Sequence, residues 1–151
     1  MLCTHADILA NVAPDAACST LFPHCPFTAS ARPAREIPVL YMHGRSDVIV
    51  AGCQTAQRDA VVSGWSMTLD STVSMDGSHT WSRYRSASGN VFEHIAHDYR
   101  AQSTLLGGHC FPGSPDIGGG AFGTRNFGCD DTVAFDWGEA VIAFFEAHPR
   151  R

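Results

Sequence analysis

Short apolar runs alternate along the chain with helix-like and turn-rich stretches, the layout of an α/β protein. Leu9 to Val12 is apolar after a helix-like beginning and is stopped by Pro14 and Asp15, so it reads as a buried strand following a helix end. A loop punctuated by Pro23, Pro26 and Pro33 follows. Pro38-Val39-Leu40-Tyr41-Met42-His43-Gly44 is continuously apolar in the manner of a strand covered on both faces, which favours a parallel sheet. From Cys53 to Gly64 the spacing of Ala and Val predicts a crossover helix with Gly64 as its C-terminal stop.

Further on, Trp81 to Arg85 and Val91 to Tyr99 flank the turn cluster Ser88-Gly89-Asn90, predicting a hairpin or a bent edge strand. Gln102 to Leu106 reads as another strand, delivering Gly107-Gly108-His109 at its carboxyl end, and a Gly/Pro-rich loop runs on to Gly128. Asp130 or Asp131 is placed to cap a last helix whose core face is Val133, Val141, Phe144 and Phe145, closed by His148 and Pro149. The expectation is one α/β domain over residues 1–151, with a mostly parallel sheet and flanking helices.

Composition narrows the chemistry. The chain has 151 residues, 44% of them hydrophobic, which is enough for one buried core. Its net charge of -5 offers no basic stripe for nucleic acid. No apolar run reaches the roughly 20 residues a membrane helix needs, and the first residues lack the pattern of a signal peptide. Every basic side chain apart from histidine is Arg, which excludes Schiff-base chemistry, Ser-Lys dyads and a phosphate-loop Lys. Six Cys with no C-x-x-C pair suit either disulfides or buried thiols, with Cys18–Cys25 and Cys110–Cys129 as candidate pairings, and hint at a secreted ancestor.

Loops leaving the carboxyl ends of parallel strands converge on one crevice, and two loops here carry suitable groups. Asp47 follows one predicted strand and His109 another. An acid that holds an imidazole, with the imidazole placed to take a proton from a hydroxyl, is the supporting pair of a serine hydrolase, and Asp before His is the α/β-hydrolase order. Pro38 to Val50, containing His43-Gly44-Arg45-Ser46-Asp47, resembles the strand and acid loop of the polyhydroxybutyrate depolymerase and feruloyl esterase group of α/β-hydrolases. Leu106-Gly107-Gly108-His109-Cys110-Phe111-Pro112-Gly113 resembles that group's His loop, usually written with Trp where Phe111 stands. Met1 to Pro14 resembles the helix and strand that follow the nucleophile elbow.

The resemblance implies the C-terminal half of an α/β-hydrolase, with Asp47 as triad acid, His109 as general base and Phe111 at the edge of the substrate site. It implies a carboxylic ester or lactone as substrate. It also places the Gly-x-Ser-x-Gly elbow upstream of Met1, and no Ser in the chain sits in such a frame. The nucleophile is then missing, replaced by another Ser such as Ser46 or Ser114, or a water. The rival readings are a non-catalytic ligand-binding or assembly domain derived from a hydrolase, and a truncated fragment completed by a partner segment. A half sheet would leave the Leu9 to Val12 edge open, so a homo-oligomer through that edge is expected.

Blander roles stand beside these. Asp47 could cap a turn, and His43 reads as packing beneath the site. His94 and His97, three apart on a strand, point to opposite faces, which argues against a metal site with Glu93 and Asp98. Trp65, Trp81 and Trp137 read as core or rim packing. No cofactor is expected; a hard cation such as Ca2+ would find oxygen donors in Asp116, Asp130 and Asp131, although their spacing matches no regular loop.

Overall fold

The structure, a computed structural model, describes residues 36–48, 53–75, 77–101, 104–113, 128–129 and 136–149. Six elements lie among them: β1 (Val39–Gly44), α1 (Cys53–Gly64), β2 (Thr68–Met75), β3 (His79–Arg85), β4 (Val91–His97) and α2 (Trp137–Ala147). The strands form one sheet in the order β1-β4-β3-β2. β1 runs parallel to β4 from Val39 opposite Phe92 to Gly44 opposite His97, while β4 with β3 and β3 with β2 are antiparallel.

This corrects the expectation of a mostly parallel, α/β-hydrolase-like sheet. Parallel neighbours need a long crossover, but only residues 76–78 separate β2 from β3 and only residues 86–90 separate β3 from β4. Such short links dictate hairpins. The Ser88-Gly89-Asn90 turn joins β3 to β4, with Gly89 at a φ of 86° and Ser86 N–H donating to the Asn90 carbonyl. β2 was not foreseen: Leu69, Val73 and Met75 alternate with Thr68, Asp70, Thr72 and Ser74, but Ser71 interrupts the apolar side, and Leu69 and Val73 are exposed.

β4 is the centre of the fold, and all seven of its residues are buried. On one face Phe92 joins Trp65 and Met67 in a core, against which Val39 and Tyr41 of β1, Tyr84 of β3 and Val61 and Val62 of α1 pack. On the other face polar groups are buried as well as Ile95. Glu93 accepts from the Trp81 indole and from the Arg83 guanidinium, each at 2.8 Å, so a carboxylate is kept in the interior by two donors. A second small core forms where Tyr99, Ala101 and Cys110 meet Leu106 and Cys129.

Two helix ends and one strand differ from the sequence reading. α1 does end at Gly64, but the left-handed residue that turns the chain is Ser66, with a φ of 50°. Ser66 N–H donates to the Ser63 carbonyl and Met67 N–H to the Val62 carbonyl, the paired bonds of a Schellman turn, and Val62 packs against the core cluster that contains Met67. α2 is capped by Asp136, whose carboxylate accepts from Glu139 N–H, rather than by Asp130 or Asp131; Phe144 is buried, but Phe145 is 66% exposed and so is not a core residue. Residues 104–106 form turns, not the expected strand from Gln102 to Leu106, and Leu105 is exposed; Ala101 and Gly107 pair with their neighbours only as isolated bridges. Leu9 to Val12, Cys18, Cys25, Asp130, Asp131 and Val133 lie outside the described residues. No helix among the described residues is long and apolar enough to cross a membrane.

Ser66 pays a steric cost that Gly does not, since its Cβ crowds the following carbonyl in the left-handed region. Because Ser66 is exposed and its backbone makes the turn, Ser66→Gly should stabilise the protein by about 1 kcal/mol. Chemical denaturation checks this: the midpoint should rise with an unchanged slope.

Candidate active site

The loop after β1 is fastened to the carboxyl end of β4. Arg45 N–H donates to the His97 carbonyl at 2.7 Å, continuing the parallel ladder by one bond, and Asp47 N–H donates to the Gly44 carbonyl at 3.1 Å to make the turn. The Arg45 guanidinium bonds both Asp98, just past β4, and the Thr80 hydroxyl of β3. The acid loop is thereby held from below by two strands.

The chain then returns alongside that loop. Ala101 N–H donates to the Gly107 carbonyl at 2.7 Å, Gly108 N–H to the Ser46 carbonyl at 3.0 Å, and Asp47 pairs with Gly107 as an isolated bridge. Such closeness requires glycine. A Cβ on Gly44 would lie 2.1 Å from the Gly108 carbonyl oxygen, and one on Gly107, whose φ is 55°, would lie 2.2 Å from the Ser46 carbonyl oxygen. Even at Gly108 an added carbon would come within 3.0 Å of Asp47 N and of Ser46 Oγ.

The consequence is a contact between the two residues singled out from the sequence. Asp47 Oδ2 lies 2.8 Å from His109 Nδ1. An ionised carboxylate only accepts, so the ring carries its proton on Nδ1 and Nε2 is the nitrogen with the basic lone pair. The Asp47 side chain is 5% exposed and that of His109 is 21%, so the acid is sealed while the imidazole reaches solvent.

His109 is also fixed from its far side. Its neighbour Cys110 forms a disulfide with Cys129, one of the two pairings considered, closing a loop of 19 residues' separation, worth about 3 kcal/mol. Phe111 is half-buried and bridged to Gly128, which sets its backbone; it lies two residues beyond His109. Pro112 is fully buried and its carbonyl accepts from Trp137 N–H at the start of α2, and Gly113 lies so close to Asp136 that a Cβ would meet the carboxylate at 2.5 Å. The helix cap and the His loop therefore share one residue, Asp136.

Ser46, one candidate for a replacement nucleophile, has its Oγ buried and without a hydrogen-bond partner. A substrate carbonyl cannot reach it there. Ser114, Asp116, Asp130 and Asp131 lie outside the described residues. His43 does pack below the acid loop: its Nδ1 lies 3.0 Å from His94 Nε2, and both rings stand near Tyr41. Burial pushes His43 down to about 4, helped by the charges of His97, Arg45 and Arg58 and opposed by Asp47. It pushes His94 down to about 3, with His43, Arg58 and Arg45 acting in the same sense. Burial, and then the Asp47 carboxylate, raises the Tyr41 phenol. These three groups are neutral near pH 7.

His97 and His94 do face opposite sides of the sheet. His97 is fully buried beside Tyr99, and a ring nitrogen of it lies within 4.8 Å of both Cys110 and Cys129 sulfurs. In this structure the disulfide occupies both sulfurs, so the group offers no thiolate ligand. Reading residues for catalysis missed both the Arg45 clamp and this cluster. The clamp had a signal in the sequence, an Arg directly beside the acid; the cluster had none, since β4 brings His97 to the cysteines only through the fold. Compared with family models, curated proteins and solved structures, the chain finds no match.

Two outcomes follow from this geometry. Gly108→Ala and Gly44→Ala should each force the acid and His loops apart; Gly44→Ala, the tighter, should cost about 2 to 4 kcal/mol, checked by denaturation. The solvent-exchange broadening of the His109 Nδ1 proton in NMR would report the loss of its Asp47 bond. Second, the unfolded chain protonates His43 and His94 near their ordinary 6.5 while the fold resists it, so stability is complete above about 6.5 and falls as pH drops toward about 4. One such ring costs on the order of 2 kcal/mol at pH 5. Melting temperature followed from pH 7.5 to 5 should fall, and His94→Gln should flatten the slope.

Proposed function

We propose that this chain carries the acid and base of a hydrolase acting on carboxylic esters or lactones, in the manner of the polyhydroxybutyrate depolymerase and feruloyl esterase group. The observation that carries the reading is the 2.8 Å bond between the sealed Asp47 carboxylate and the partly exposed His109 ring, on two loops that glycines lock together. Asp47 orients the ring and stabilises its protonated form. His109 Nε2 takes the proton of an attacking hydroxyl and returns it to the leaving alkoxide. That hydroxyl belongs to a serine other than Ser46, with Ser114 the candidate in this chain, or to a water. Phe111 would line the acyl or alcohol side of the bound ester. The Cys110–Cys129 disulfide suits an oxidising compartment, outside the cell or in its secretory space.

Hydrolysis of a p-nitrophenyl ester and of a small lactone tests the proposal. His109→Ala should lower kcat/KM by about 10²- to 10⁴-fold, and Asp47→Asn, which favours the wrong ring tautomer, should lose activity on a similar scale. Labelling by a fluorophosphonate, located by peptide mapping, would mark a serine nucleophile; hydrolysis without labelling would indicate water. Turnover that survives His109→Ala would overturn the reading, and ester binding without turnover would mark a ligand-binding domain instead.

A further inference from the structure

The face of β4 opposite α1 carries a histidine that serves no role in the proposed hydrolysis. His97 is 0% exposed, and neither ring nitrogen makes a well-formed hydrogen bond, although the Tyr99 backbone and the Asp98 carboxylate give the ring some polar support. An imidazole buried in this way is costly unless something else satisfies it. What it faces is sulfur: one ring nitrogen and the Sγ atoms of Cys110 and Cys129 all lie within 4.8 Å of one another.

We propose that Cys110, Cys129 and His97 form a zinc site gated by the redox state of the disulfide. Zn–S bonds of about 2.3 Å and Zn–N bonds of about 2.0 Å set tetrahedral ligand atoms roughly 3.5 to 3.8 Å apart. One His97 ring nitrogen lies within 4.8 Å of both sulfurs, and opening the S–S bond lets the sulfurs spread to the separation an ion needs. Two thiolates and a neutral imidazole, with a water as the fourth ligand, sum to zero charge around a divalent ion, which suits a buried position. Sulfur and imidazole donors select zinc over calcium or magnesium.

The chemistry balances with a reductant of the dithiol class. Its thiolate attacks one sulfur, Cys129 being the half-buried member of the pair, and its second thiol resolves the mixed disulfide. Two electrons and two protons pass to Cys110 and Cys129, and the dithiol leaves as a disulfide. Zinc then displaces the two thiol protons as it binds. The oxidised chain lacks both thiolates and does not bind. This site stands apart from the hydrolytic reading: it uses neither Asp47 nor the His109 ring.

The test uses the full chain, reduced under anaerobic conditions, with Co2+ as a coloured substitute for Zn2+. The reduced protein should take up one Co2+ that shows sulfur-to-cobalt charge transfer and intense tetrahedral d–d bands, bleached on adding Zn2+; the oxidised protein should show neither. Replacing Cys3, Cys18, Cys25 and Cys53 together with Ser should leave the spectrum intact, whereas Cys110→Ser with Cys129→Ser should abolish it. His97→Gln should weaken Zn2+ binding at least about tenfold and alter the d–d bands. Alkylation of the reduced, unmutated chain gives a readout that needs no variant: Zn2+ should protect Cys110 and Cys129 from iodoacetamide. Equal alkylation with and without Zn2+, a tetrahedral cobalt spectrum that survives loss of Cys110 and Cys129, or equal binding by the oxidised chain would each overturn the proposal.

Discussion

Two stretches of backbone touch at Gly44, Gly107 and Gly108, and the geometry around Asp47 and His109 follows from that contact. At 2.1 Å and 2.2 Å, the separations an added Cβ would have from facing carbonyl oxygens are far inside van der Waals distance, so these are steric requirements, not preferences. With the loops in register, Gly108 N–H finds the Ser46 carbonyl, and the side chains of Asp47 and His109 have little freedom except to meet. The side-chain bond is thus a product of the backbone arrangement. That order matters for any function needing a fixed imidazole, because a hydrogen bond between two mobile loops would not hold an orientation.

How much of this could be read in the sequence depends on what each residue signals locally. The β1 strand, α1 and the β3–β4 turn were legible, since apolar continuity, helical spacing and Ser88-Gly89-Asn90 act over a few neighbours. The pairing of Asp47 with His109, 62 positions away, came from motif resemblance and not from periodicity. The mostly parallel sheet was misread because the alternation of Leu69, Val73 and Met75 in β2 is interrupted at Ser71: the strand lies at the sheet edge with Leu69 and Val73 exposed, and its order comes from backbone pairing with β3. The cap of α2 was misplaced for a related reason. Asp130, Asp131 and Asp136 are equally good caps in isolation, and what distinguishes Asp136 is its packing against Gly113, a tertiary contact.

β4 shows why periodicity fails at the centre of a sheet. All seven residues are buried, yet Glu93, His94 and His97 are polar. Each is accommodated differently. Glu93 gathers the Trp81 and Arg83 donors, while His94 shares a hydrogen bond with His43 as a neutral ring. His97 has no side-chain hydrogen bond of this kind and draws only on the Tyr99 backbone and the Asp98 charge. Against such neighbours, a buried imidazole with no side-chain hydrogen-bond partner, beside two sulfurs, is the exception that asks for a ligand.

The segment from His109 to Gly113 is where the separate constraints meet. Its first residue is oriented by Asp47, its second is tied covalently to Cys129, and its last two abut the cap of α2. A covalent link, a charge-assisted bond and a helix terminus respond to different conditions, namely redox poise, pH and global stability. Because they act on five consecutive residues, loosening one shifts load onto the others instead of freeing the ring outright. Opening the disulfide would therefore leave His109 held by Asp47 and by the glycine contact, while allowing Cys110 the small displacement that a tetrahedral ion demands. The same short loop can in this way hold a base in place and still change its sulfur chemistry beneath it.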